Sequence, residues 1–101
     1  MIEQLTARDY VRAAFKDERL DRFCAYPVLG AVDAKFYGIT IEEFLTDAAK
    51  FAGAQLAAIE QFEPDIAVMM ADLVMEPEAM GQRVDFFDDR MCQQRGYLVD
   101  E

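Results

Sequence analysis

The most constraining stretch runs from residue 39 to residue 71, where a complete helix signature leads straight into a short apolar segment. Thr40 and Glu43 stand at the two ends of a capping box, in which the hydroxyl and the carboxylate each bond a backbone N–H of the other. Ile39 and Phe44 occupy the two positions of a hydrophobic staple. Beyond them Ile41, Leu45, Ala48, Ala52, Leu56 and Ile59 recur at intervals of three and four residues. That periodicity predicts one amphipathic, core-facing helix ending near Phe62. Its alanines would let a partner element approach closely. Pro64 stops it, because the residue before a proline is driven out of the helical region. "DIAVMMA" (65–71) is then apolar without alternation, as expected of a strand buried on both faces of a parallel sheet. A buried helical turn competes with that reading, since Met and Ala favour helix.

On the N-terminal side, Thr6 and Asp9 have the spacing of a helix cap. Val11, Ala14 and Phe15 supply a short apolar stripe that "KDERLDR" (16–22) brings to a stop. "FCAYPVL" (23–29) is β-prone and aromatic, and Pro27 within it assigns it an edge position or an early end. Gly30 and Gly38 bracket "AVDAKFY", which reads as a loop. On the C-terminal side, "EPEAMG" (76–81) predicts one or two helical turns, with Pro77 in the first turn and Gly81 as the stop. "RVDFF" (83–87) alternates as a short strand would, and "DDRMCQQRGYLVDE" loses periodicity. A strand, a helix and a second buried strand form the βαβ unit of a parallel sheet. Two such strands leave open edges that proteins normally cover or pair. The whole chain, 1–101, is therefore expected to be a single, partial domain.

Composition narrows the function classes. The chain has 101 residues and a 53% hydrophobic content, too much for a disordered chain despite a formal charge of −10. With 20 acidic and 10 basic side chains, its mean field repels phosphate, so neither nucleic acid nor an anionic membrane is an expected partner. No apolar run is long enough to span a bilayer and the N-terminus has no signal-peptide pattern, which makes the cytoplasm the expected compartment. Cys24 and Cys92 match no metal or redox spacing and read as free thiols. The absence of histidine removes the commonest base near neutral pH and the commonest zinc ligand.

Several smaller groupings have an ordinary reading beside a functional one. "DFFDD" (85–89) gathers carboxylates that could attract a hard cation, but lacks the glycine turn and terminal glutamate of a calcium loop, so a solvated acidic turn is expected. Met69, Met70, Met75 and Met80 are either a surface for a large cofactor or gap-filling core residues. Glu42 and Glu43 favour the helix dipole and need no other role. Tyr26, Phe36 and Tyr37 would line a site mouth in a barrel, or simply pack.

The order and spacing of these segments bring a family into view. "TARDYVRAAFKDERLDRFCAYPVLGA" resembles the opening of the uroporphyrinogen decarboxylase superfamily: a short helix, a charged turn with Asp-Arg, then the first barrel strand. "GITIEEFLTDAAKFAGAQLAAIEQFEPDIAVMMADLVMEPEAMGQRVDFFDD" is similar to the next part of that fold, through the second strand and the "EAMG" segment. The resemblance implies an α/β fold, the N-terminal βα units of a (β/α)₈ barrel that is incomplete in this chain. Active sites of such barrels lie at the C-terminal ends of the strands.

The same resemblance gives Asp72 a candidate catalytic role. An aspartate after the second strand points into the cleft of the decarboxylases, where it would hold pyrrole N–H groups of a tetrapyrrole and favour a cationic intermediate by its charge. The alternative is that Asp72 only caps the turn before Leu73. One departure from the decarboxylase pattern matters. The loop that carries substrate-clamping arginines there corresponds here to "PVLGAVDAKFYG", whose single base is Lys35, and a lysine does not replace a bidentate fork. This stretch is closer to the branch of corrinoid-dependent methyltransferases, whose partners are a corrinoid protein and a thiol. That branch takes zinc through later His and Cys ligands, which no residue of this chain can supply. The expectation is thus the opening part of a methyltransferase-type protein, not catalytic as an isolated chain. A stand-alone module that dimerises or docks through open strand edges is one alternative, a uroporphyrinogen decarboxylase another, and a helical adaptor a third.

Overall fold

The computed structural model describes residues 4–28, 30–68 and 72–97. Among them, seven elements succeed one another: α1 (Ala7–Phe15), α2 (Ala31–Tyr37), α3 (Ile41–Thr46), α4 (Ala48–Phe62), α5 (Met75–Ala79), β1 (Val84–Asp85) and β2 (Gln93–Gln94). The two strands pair antiparallel, Val84 opposite Gln94 and Asp85 opposite Gln93.

Both capping boxes form. Asp9 N–H donates to the Thr6 hydroxyl while Asp9 Oδ2 accepts from Thr6 N–H at 2.8 Å. Thr40 and Glu43 reciprocate in the same way at 2.9 and 3.1 Å. Each box satisfies first-turn donors that a helix start otherwise leaves to water. Ile39 is partly buried against the core cluster that contains Phe44. The short helix predicted over "EPEAMG" is present as α5, and the strand predicted within "RVDFF" is present as β1.

The helix predicted as one piece from Ile41 to Phe62 is two. Asp47 takes an extended conformation (φ −117°, ψ 108°), closing α3 and opening α4. Its carboxylate accepts Lys50 N–H at 3.0 Å, so a residue read as a helix interior is an N-cap. The break shifts the phase of everything downstream. The buried positions of α4 are Ala54, Gln55 and Ala58, whereas Leu56 of the expected stripe is exposed. In α1 the same kind of correction applies: Tyr10 and Ala13 are buried, and Phe15 faces out.

Three further expectations change. "AVDAKFY" is a helix, not a loop, with Gly38 at φ 79° providing its left-handed C-cap. Residues 23–28 have no strand partner among the described residues, and Pro27 explains part of that by removing a donor. Within 65–71, residues 65–68 are not in a strand, and 69–71, with Met69 and Met70, lie outside the described residues. The parallel βαβ unit is therefore not observed among the described residues, and the pairing present is an antiparallel pair near the C-terminus.

The core is small. Ala34, Ile41, Phe44 and Ala54 form its centre, with Ala31, Ile39, Leu45 and Phe51 around them. The Phe44 and Phe51 rings meet at 4.9 Å between centroids. This cluster joins α2, α3 and α4 into one helical unit. The hairpin is tied to it where Ile41 N–H donates to Asp88 O at 3.0 Å. Many apolar side chains remain exposed, among them Phe15, Phe23, Val28, Leu73 and Met80. The radius of gyration is 17.7 Å, against about 13 Å for a closed domain of this length. Among the described residues, no helix is long and apolar enough to cross a membrane.

Candidate functional site

Asp72 lies just ahead of α5. Its Oδ1 accepts the backbone N–H of Val74 at 2.7 Å, the two-residue reach of an Asx turn. The local role considered for Asp72 from sequence is thus realised, and it engages Oδ1. The side chain is half-buried, and Cys92 is its neighbour from the C-terminal segment. Burial first, and the nearby Asp72 carboxylate second, push the Cys92 thiol up, with Glu78 acting in the same direction. A thiol in such surroundings stays protonated and is a poor nucleophile. The chemistry open to this corner is that of a carboxylate: accepting N–H donors or stabilising positive charge. Thiolate attack is not supported.

A second polar constellation is better built. Arg22 donates to both oxygens of Asp65, at 2.6 and 3.0 Å, and to Phe23 O at 2.9 Å. Ala25 N–H completes the Asp65 shell at 2.7 Å. The guanidinium lies over the Tyr10 ring, 3.6 Å from its centroid, and Tyr10 Oη donates to Asp21 at 2.8 Å. The Asp21 carboxylate holds the Tyr10 phenol above its usual range. Beside this cluster an open cavity of about 600 Å³ is lined by Tyr10, Asp17, Arg19, Asp21, Arg22 and Cys24 among others. An apolar cleft of about 280 Å³ next to it is lined by Val11, Ala14, Phe15, Cys24, Tyr26 and Ile66. The stripe predicted on α1 thus borders an open cleft instead of a closed core.

The remaining sequence candidates separate. Asp85 is engaged by Arg95 at 2.8 Å and Asp88 contributes its carbonyl to Ile41, so "DFFDD" is a structured acidic turn. Among the described residues, no three His, Cys, Asp or Glu side chains converge to hold a metal ion. Cys24 and Cys92 are both free. Glu43 receives Lys50 Nζ at 2.5 Å in addition to its capping role. Lys35 is exposed on α2, Met75 and Met80 are exposed, and Phe36 stacks edge-on against Phe62 at 5.0 Å.

Two polar residues of the core escaped the sequence reading. Asp33 is fully buried and accepts a hydrogen bond from Gln55 Nε2 across the α2–α4 contact. Reading α2 as a loop hid Asp33, and the unrecognised break at Asp47 hid Gln55. Gly38 at the end of an alanine-containing stretch was the signal that could have exposed the first error.

The family model described as Uroporphyrinogen decarboxylase (URO-D) matches residues 6–99. No curated protein and no solved structure matches the chain.

Proposed function

The chain belongs to the uroporphyrinogen decarboxylase family, and we propose that it forms the opening part of a methyltransferase-type member acting with a corrinoid protein, not of a porphyrin decarboxylase. One observation carries this reading. The stretch that corresponds to the arginine-bearing clamp of the decarboxylases, residues 27–38, contains α2 and has no arginine and one lysine, the exposed Lys35. Arg22, the nearest guanidinium in sequence, is committed to Asp65 and the Tyr10 ring. An acid-laden tetrapyrrole would find no free bidentate donor there, and a point charge does not replace one. A methyl group carried by a corrinoid makes no such demand.

In this reading Asp72 lines the cleft. Val74 N–H holds its Oδ1. The isolated chain is not expected to turn over. Catalytic groups must be held to within about half an ångström by supporting structure. A (β/α)₈ barrel needs about 250 residues to provide that support, against 101 here.

The test is to assay the natural polypeptide that carries this segment in two reactions side by side. The expected result is methyl transfer from methylcobalamin to a thiol without release of CO₂ from uroporphyrinogen. Release of CO₂ would overturn the assignment. A second reading, a binding or self-associating module, is favoured by the exposed apolar set that includes Phe23 at 93% and Leu73 at 80% exposure. Light scattering at micromolar concentration tests it: a mass above 11.5 kDa is expected, and a folded monomer excludes it.

A further inference from the structure

We propose that Asp33 is a pH-sensitive latch between α2 and α4, closed when its carboxyl is neutral and loosened when the carboxyl ionises. Asp33 has no exposed surface, Oδ2 accepts one hydrogen bond, from Gln55 Nε2, and Oδ1 has no partner among the described residues. Gln55 is itself buried. A carboxylate held in protein normally has a cation beside it or receives two or three N–H donors. This one has a single neutral donor. A carboxylic acid in the same place leaves one uncharged polar atom unpaired, a far smaller cost.

Among the described residues, the surrounding elements supply no compensating charge. From α4 the polar group facing Asp33 is Gln55, and Lys50 of the same helix is taken by Glu43 of α3. On α2 itself Lys35 is exposed, and among the described residues no charged side chain acts on Asp33. The first turn of α2 favours negative charge and so acts against the neutral form, as does the Gln55 hydrogen bond. Burial outweighs the Gln55 hydrogen bond, and the carboxyl is raised above its ordinary value.

Linkage sets the direction of the effect. A carboxyl raised on folding binds its proton more tightly in the native state. Its contribution to stability is complete below the ordinary carboxylate value and is lost as pH rises through the raised folded value. Because Asp33 and Gln55 join the two helices on either side of α3, the loss falls on the packing of α2. The latch belongs to the helical unit alone and is independent of the methyltransferase reading.

The experiment compares urea midpoints of the wild-type chain and Asp33→Asn from about pH 4 to about pH 8, the amide standing in for the neutral acid. The wild type should lose midpoint relative to the variant as pH rises, so that the difference between them changes steadily. A difference constant across the range overturns the latch. Should Asp33→Asn fail to fold, ¹³C NMR of the Asp33 carboxyl in the wild type decides. A titration midpoint above the ordinary carboxylate range supports the proposal, and one at or below it overturns it.

Discussion

Arg22 and Asp65 are joined by two hydrogen bonds, of 2.6 and 3.0 Å, although 43 positions separate them in sequence. The Asp65 side chain is only 2% exposed and takes Ala25 N–H as a third donor. Arg22 chiefly, with the Ala25 amide, holds the Asp65 carboxyl down to about 2. A depressed carboxyl stabilises the fold above its unfolded pKa, and the stabilisation is lost as pH falls through the folded value. Asp65→Asn should therefore be less stable than wild type by a constant amount above about pH 5, with the gap narrowing below that and closing once pH has fallen through about 2. Urea midpoints of the two proteins along the acid limb measure it. A gap that persists unchanged into strong acid would show that the ion pair is not its source.

Phe44 is fully buried between Ala34, Ile41 and Ala54, with Phe51 against its ring. Truncation to alanine should cost about 3–5 kcal/mol, because a core this small has little slack with which to fill the cavity. Phe44→Leu should cost visibly less. Equal losses for the two variants, in chemical denaturation, would mean that the site collapses around whatever occupies it.

Gly53 sits inside α4, where a Cβ would lie 2.6 Å from Tyr37 Oη and 2.8 Å from Cζ. Gly→Ala in a helix interior is ordinarily worth about 1 kcal/mol of stabilisation. Here the gain should be reduced or reversed, since the Tyr37 ring tip must swing away. In a Tyr37→Ala background the full helical gain should return. A double-mutant cycle reads the coupling, and strictly additive effects would rule out the contact.

Asp72→Asn keeps an acceptor for Val74 N–H and removes the charge. If the carboxylate acts on substrate, turnover of the natural polypeptide should fall by about 10²-fold with stability preserved, the usual loss for one preorganised electrostatic group. Unchanged turnover would leave Asp72 with its turn alone.

How well the sequence foretold this molecule depends on the range of the interaction. Caps are local, and Thr6 with Asp9 and Thr40 with Glu43 were readable because both partners lie within one turn. The family was readable because the resemblance rests on the order of many weak positions over most of the chain, and the family model matches residues 6–99. Asp47 was not: an aspartate in an alanine-rich run looks like solvated helix surface, and its capping of Lys50 becomes visible only when the chain bends. With the bend missed, Leu56 was assigned inward although it is exposed, and the buried Gln55 drew no reading at all. Strand readings at 23–29 and 65–71 rested on composition. Apolar runs state what must be covered without stating what covers them. Asp72 lies between these cases, its turn following from local spacing and its proposed chemistry from the family alone.

The bond from Ile41 N–H to Asp88 O turns one amide into a reporter. A first-turn amide has no acceptor within its own helix and ordinarily exchanges its hydrogen with solvent freely. That of Ile41 is covered by a carbonyl arriving from 47 positions further along the chain. Its protection against deuterium therefore reads how often the C-terminal hairpin lifts from the helical unit, separately from any opening of α3 itself.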